Sequence, residues 1–88
     1  GPMGIAARSR DRVRIAPNPT LDGWVTLSCD HGASMTSVAV YDARGAQVMT
    51  ETQRVANGWR LRLPDVIGAY LIRVRVDGEE VVKRVLRD

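Results

Sequence analysis

Phenylalanine is absent from the 88 residues, and cysteine, histidine and lysine occur once each, as Cys29, His31 and Lys83. One cysteine excludes an internal disulfide. One histidine leaves any His-based nucleophilic triad dependent on His31 alone. The apolar runs are short, far below the ~20 residues of a membrane-spanning helix. No block of five or six like charges occurs, so no acidic or basic tail is written into the chain. Without Phe, a core must rest on Val, Leu and Ile, helped by two Trp and two Tyr.

What is present suits one small folded domain. Hydrophobic residues make up 44% of the chain and charged residues 26%, a core-forming composition. The net charge is +3, and every basic residue except Lys83 is Arg. This balance permits an anionic partner without requiring one. Gly1-Pro2-Met3-Gly4 reads as the remnant of an expression tag before a start Met. Residues 5–11 read as a linker or arm, and residues 12–88 as the domain. Arg8, Arg10, Arg12 and Arg14 fall at every second position, with Asp11 among them. They read as a solvated arm, with a binding arm as the alternative.

Glycine and proline punctuate the chain at short intervals, and almost nothing between them has helical period. Arg12–Ala16 can form a first strand, stopped by Pro17-Asn18-Pro19, which forces an extended corner. From Gly23 to Cys29, Val25, Leu27 and Cys29 alternate with Trp24, Thr26 and Ser28. Cys29 thereby joins an apolar face and reads as a buried small side chain. Ser37–Asp42 is rich in strand formers, Ala43-Arg44-Gly45 turns, and Ala46–Thr52 returns. Asn57-Gly58 signals a turn. After it Trp59, Leu61 and Leu63 alternate with Arg60 and Arg62, a half-buried strand with a basic outer face.

The last segment is the most legible. Ala69–Val76 and Glu79–Leu86 flank Asp77-Gly78, the sequence of a two-residue type I′ hairpin. Such a loop sets the register. Val76 faces Glu79, Arg75 faces Glu80, Val74 faces Val81, Ile72 faces Lys83 and Tyr70 faces Val85. Tyr70, Ile72, Val74, Val76, Val81 and Val85 then share the inner face, while Arg73, Arg75 and Glu80 lie outside. Lys83 falls among apolar neighbours. Either its ammonium snorkels to water where the strand leaves the core, or the strand presents it to a receptor. About seven short strands, each with one apolar face, define an all-β fold: an Ig-like antiparallel β-sandwich, with a small open barrel as the alternative.

The chain offers little chemistry. His31 adjoins Asp30 and lies near Ser28, Ser34 and Ser37, in a polar stretch that reads as a surface loop. Cys29, Asp30 and His31 are consecutive and do not easily converge on one metal. No phosphate loop, paired-Cys motif or calcium loop occurs. No catalytic residue, metal site or cofactor is expected. Arg60, Arg62, Arg73 and Arg75 read as a solvated basic sheet face, with an anionic-ligand face as the alternative. Aromatics are not interleaved with them as in RNA-binding sheets, so nucleic acid is not an expected partner.

Three segments together resemble the type A C-terminal sorting domain of type IX (Por) secretion cargo. Ile15-Ala16-Pro17-Asn18-Pro19-Thr20, followed by Asp22, matches its PNP corner. Val38-Ala39-Val40-Tyr41-Asp42-Ala43-Arg44-Gly45-Ala46-Gln47-Val48 is similar to its strand–(D-x-x-G)–strand hairpin. Gly68-Ala69-Tyr70-Leu71-Ile72-Arg73-Val74-Arg75, then Gly78 and Val82-Lys83-Arg84-Val85-Leu86, match its G-x-Y strand and its basic, apolar terminal strand. Asp88 at the end departs from the basic or apolar ending common in that family.

The resemblance implies a non-catalytic domain recognised by an outer-membrane translocon after transit through the periplasm. It also implies delivery to the cell surface or medium. For most such cargo a surface sortase removes the domain and joins anionic lipopolysaccharide to the new terminus. The cut would fall in or upstream of Ile5–Asp11. Gly68, Tyr70, Val82, Lys83, Arg84, Val85 and Leu86 are the expected recognition residues, and Pro17, Asn18 and Pro19 shape the corner. Gly68 can equally serve a positive φ, and Tyr70 the core. The final hairpin is expected to leave an open sheet edge suited to partner strands or a homodimer. Two further readings stand beside this one. The domain could be uncleaved, within a secretion component or surface signalling protein. Or it could be a generic Ig-like binding or spacer module, for which Trp24 on an outer face would be the sugar-binding candidate.

Overall fold

A computed structural model describes residues 12–30 and 32–88. The tag, the 5–11 arm with Arg8 and Arg10, and His31 lie outside the described residues. Eight strands follow in order: β1 (Val13–Ala16), β2 (Trp24–Cys29), β3 (Met35–Tyr41), β4 (Gln47–Val48), β5 (Glu51–Val55), β6 (Gly58–Arg62), β7 (Gly68–Val76) and β8 (Glu79–Arg87). They form two four-stranded antiparallel sheets, β1-β2-β6-β5 and β4-β3-β7-β8. The two layers are packed face to face as a β-sandwich.

The period-two patterns become the core. Val25, Leu27 and Cys29 of β2 and Leu61 of β6 face Val40 of β3, Tyr70, Ile72, Val74 and Val76 of β7, and Val81 and Val85 of β8. Leu27, Leu61, Ile72 and Val85 are wholly buried. At ~25 cal/mol per Å² of apolar surface removed from water, such side chains supply ~1.5–3 kcal/mol each. Trp59, half-buried, packs against this core from β6.

The β7–β8 hairpin has the expected register in full, from Val76↔Glu79 to Tyr70↔Val85. Asp77 and Gly78 have φ of 50° and 85°, as a type I′ loop needs. Two other turns differ from expectation. The β5–β6 loop is Ala56-Asn57, and Gly58 already pairs with Ser28 and Val55. Gly58 is required by crowding, because a Cβ there would lie 2.0 Å from the Leu27 carbonyl oxygen. The return read as one strand over Ala46–Thr52 is split. Gln47–Val48 pairs with β3, the chain crosses sheets at Met49-Thr50, and Glu51–Val55 pairs with β6. Eight strands therefore stand where about seven were expected. Each sheet recruits its own half of the segment, and no turn dipeptide marks the crossing.

The sandwich has two unlike ends. The first carries Asp30, Ser34, Asn57 and the Asp77-Gly78 loop, and Arg12 enters the domain there through an ion pair with Asp77. The second gathers the 17–23 corner, the Asp42–Ala46 turn and the 63–67 loop. Leu21, Val66 and Ile67 are all largely exposed at this second end.

Candidate functional site

The pleat of β8 divides the expected recognition residues into two sets. Val82, Arg84 and Leu86 point outward, opposite Arg73, Leu71 and Ala69 of β7. Val82, Leu71 and Leu86 are 45%, 41% and 39% exposed, so the outer face alternates apolar and arginine side chains. Tyr70 and Val85 are buried instead. Each belongs to the inward phase of its strand. Tyr70 donates its hydroxyl to the Val66 carbonyl at 2.8 Å and thereby holds the 63–67 loop. Lys83 is half-buried on the inner side of the edge strand. Gly68 has φ of +152°, and a Cβ there would meet nothing within 4 Å. It borders an apolar hollow lined also by Val48, Pro64 and Ile67.

The four arginines do not share one face. Arg60 and Arg62 belong to β6 and Arg73 and Arg75 to β7, on the outer surfaces of opposite sheets. The Arg60 guanidinium lies 4.0 Å from the Trp24 ring centroid and covers it. Arg73 donates to the Tyr41 hydroxyl at 2.6 Å and approaches Glu80 at 3.9 Å. Arg75 stands opposite Glu80 in register but donates to the Gly78 carbonyl at 3.3 Å. The cross-strand partner of Glu80 is thus the diagonal arginine. At such exposure the pair is worth under about 1 kcal/mol.

The corner does more than turn the chain. Both of its X-Pro bonds, Ala16-Pro17 and Asn18-Pro19, are cis. Asn18 is held against the edge of β8, where its Nδ2 donates to the Arg84 carbonyl at 3.0 Å. Its Oδ1 accepts the Leu86 amide at 3.0 Å. The Thr20 amide donates to the Leu86 carbonyl at 2.8 Å, and the Asp88 amide donates to the Thr20 carbonyl at 2.9 Å. Residues 18–20 thus act as a short surrogate strand. The open edge expected at the final hairpin is closed at Arg84–Asp88, because an amide side chain has the same donor–acceptor pair as a peptide group.

Two residues not singled out from the sequence anchor this closure. Thr20 is fully buried. Its hydroxyl accepts the Gly23 amide at 3.1 Å and turns its proton toward the Trp24 carbonyl and the Asp22 carboxylate. Arg87 lies under the corner, donating to the Leu21 carbonyl and, at 3.1 Å, to Asp65. Its partners lie 22 and 66 positions away, beyond the reach of any local pattern. The match of Thr20 to a PNP corner was the one available signal.

Three carboxylates are held below their ordinary range by donors. The Ser34 amide and then the Arg12 guanidinium act on Asp77. The Trp24 amide and then the Thr20 hydroxyl act on Asp22. The Ala46 and Arg44 amides, with the Arg44 side chain, act on Asp42. Each carboxylate is spent on a turn. Cys29 is buried, its Sγ 3.2 Å from the Asn57 carbonyl. Among the described residues, no three His, Cys, Asp or Glu side chains are grouped to hold a metal.

Among the described residues, polar side chains close edges and turns, and the large exposed apolar residues are Leu71, Val82 and Leu86 on the outer hairpin face, Leu21, Val66 and Ile67 at the second end, and Met49 where the chain crosses between the sheets. Residues 14–87 match the family described as the secretion system C-terminal sorting domain. That match begins in β1 and ends with the last residue of β8. The chain belongs to this family, the C-terminal sorting signals of type IX secretion. It is a targeting signal that works with the secretion machinery and implies export to the cell surface or secretion. No curated protein and no solved structure matches the chain.

Proposed function

We propose that the outer-membrane translocon reads this domain through the outer face of its final hairpin, at Val82, Arg84 and Leu86 with Leu71 and Arg73. The observation that carries this reading is the alternation of half-exposed apolar and arginine side chains on that face. Water-facing strand positions ordinarily hold polar residues, and apolar ones in a group mark an interaction surface. Gly68 adds an open hollow at the start of β7. Tyr70 and Val85 act by supporting the face from within. The parent protein is attached before Arg12, at the opposite end from Leu21, Val66 and Ile67.

In this reading a surface sortase cuts upstream of residue 12 and transfers the cargo to anionic lipopolysaccharide. A retained, uncleaved domain would use the same face. The sugar-binding reading loses support, because Arg60 already occupies the Trp24 ring at 4.0 Å. The test is a reporter fused ahead of the whole chain, exported by a type IX host, carrying Val82→Asp with Leu86→Asp. Both side chains face outward, so the variant stays folded, and export is expected to fall at least tenfold. Full export of a folded double variant would remove this face from recognition. The reporter's mass after export separates cleaved from retained.

A further inference from the structure

The split of the Ala46–Thr52 return leaves a gap in the second sheet. β4 covers β3 only through Val40↔Val48 and Tyr41↔Gln47. The chain then departs at Met49-Thr50 for the other sheet. β7 pairs with β3 along its far side, but among the described residues no strand stands beside Thr36–Ala39 on the near side. In an antiparallel ladder, alternate residues direct both backbone groups to the same side. The Asp42 amide donates toward β4, to the Ala46 carbonyl at 2.9 Å. Val40 and Val38 share its phase. The Val38 N–H and C=O therefore point into the gap, and no hydrogen bond meets them among the described residues.

The gap is a cleft with a floor. Val38, Val48, Thr52 and Trp59 line it between the sheets, and Met49 stands almost fully exposed at its mouth. The Trp59 Nε1–H is buried with no acceptor among the described residues. The Arg54 guanidinium lies over the same indole, 5.0 Å from the ring centroid, with no carboxylate partner among the described residues.

We propose that this flank of β3 takes up an extended segment of a partner protein as an added antiparallel strand in line with β4. Unpaired backbone groups give such a strand its hydrogen bonds, and a pocket for alternate side chains gives it selectivity. The occupant carries an apolar residue, which drops between the sheets toward Trp59, and a carboxylate two positions along on the same face of the strand, which meets Arg54. The other long edge, β8, is less available, because Asn18 and Thr20 close its second half. This site is distinct from the outer hairpin face and does not depend on it.

The probe is a capped six-residue peptide of alternating threonine and valine in which glutamate takes the place of the last valine, titrated into the isotopically labelled full chain. Saturable NMR shifts are expected at the Val38 amide and the Trp59 indole N–H, with slowed hydrogen exchange at Val38. Lysine in place of the peptide's glutamate should weaken binding about two- to fivefold, the range of an exposed ion pair. Arg54→Glu, at an exposed position, should reverse that preference. Val38→Pro removes an N–H that makes no bond in the sheet and should abolish the shifts. If that variant unfolds, the Arg54 reversal still decides. Shifts at Glu80–Val82 instead, or no saturable shift, would overturn the proposal. So would shifts that grow with protein concentration alone, which would name a second copy as the occupant.

Discussion

Asn18 offers the sharpest test of how the corner and the final strand depend on each other. Replacing it with Ala removes two hydrogen bonds to the β8 backbone, at the Arg84 carbonyl and the Leu86 amide. Net contributions run to ~0.5–1.5 kcal/mol per bond. Both bonds are solvent-exposed, and water can replace the lost partner, so the lower half of the range applies. The expected loss is ~1–2 kcal/mol. For a domain of this size each kcal/mol lowers Tm by ~4–8 °C, so melting should fall by ~4–16 °C. Gln53→Ala is the control, since Gln53 is exposed and its one side-chain bond, to Arg60, is 3.4 Å long. It should stay within ~0.5 kcal/mol of wild type. Scanning calorimetry measures both. An uncapped edge should also associate, so the average mass of Asn18→Ala in sedimentation should rise with concentration. A variant that melts with the wild type and stays monomeric would show that the amide does not close the strand.

Three other outcomes follow from particular contacts. Gly58→Ala should cost ~3 kcal/mol, the upper range for overpacking, because its Cβ would fall 2.0 Å from the Leu27 oxygen; urea unfolding reads this directly. Leu27→Ala should cost ~2–5 kcal/mol, as for other wholly buried leucines, and the same assay would refute it with a value under ~1 kcal/mol. Asp22, Asp42 and Asp77 are held below their ordinary range when folded. Their contribution is therefore fully present above the usual Asp value near 3.9 and is lost as pH falls through the depressed values. Tm should be level from pH ~7 to ~5 and drop below ~4. Asp77→Asn should reduce that acid slope while keeping an acceptor for Ser34.

The parts of the fold that depend on neighbours in sequence were open to reading. Asp77-Gly78 dictates a two-residue loop, and a two-residue loop dictates every pairing from Val76↔Glu79 onward. The inward phase of Val25, Leu27 and Cys29 followed from alternation alone. The crossing at Met49-Thr50 did not, because no Gly or Pro marks it and its cause is competition between two sheets. Asn57-Gly58 misled by one residue, since Gly58 answers to a carbonyl on β2, 31 positions earlier in the chain. At the candidate site, the outward placement of Arg73 was legible. The separation of Arg60 and Arg62 from Arg73 and Arg75 was not, because strand patterns do not say which sheet a strand joins. Asn18 and Arg87 were hidden for the same reason, their partners lying 66 or more positions away for the amide and the Leu21 carbonyl.

If the domain is a sorting signal of type IX secretion, it should direct export of whatever is fused ahead of it. The direct measurement places the full 88-residue chain behind a periplasmic signal peptide and a fluorescent reporter, in matched hosts with and without a working translocon. Reporter is expected at the surface or in the medium of the first host and in the periplasm of the second. Folded reporter retained in the periplasm of both hosts would contradict it.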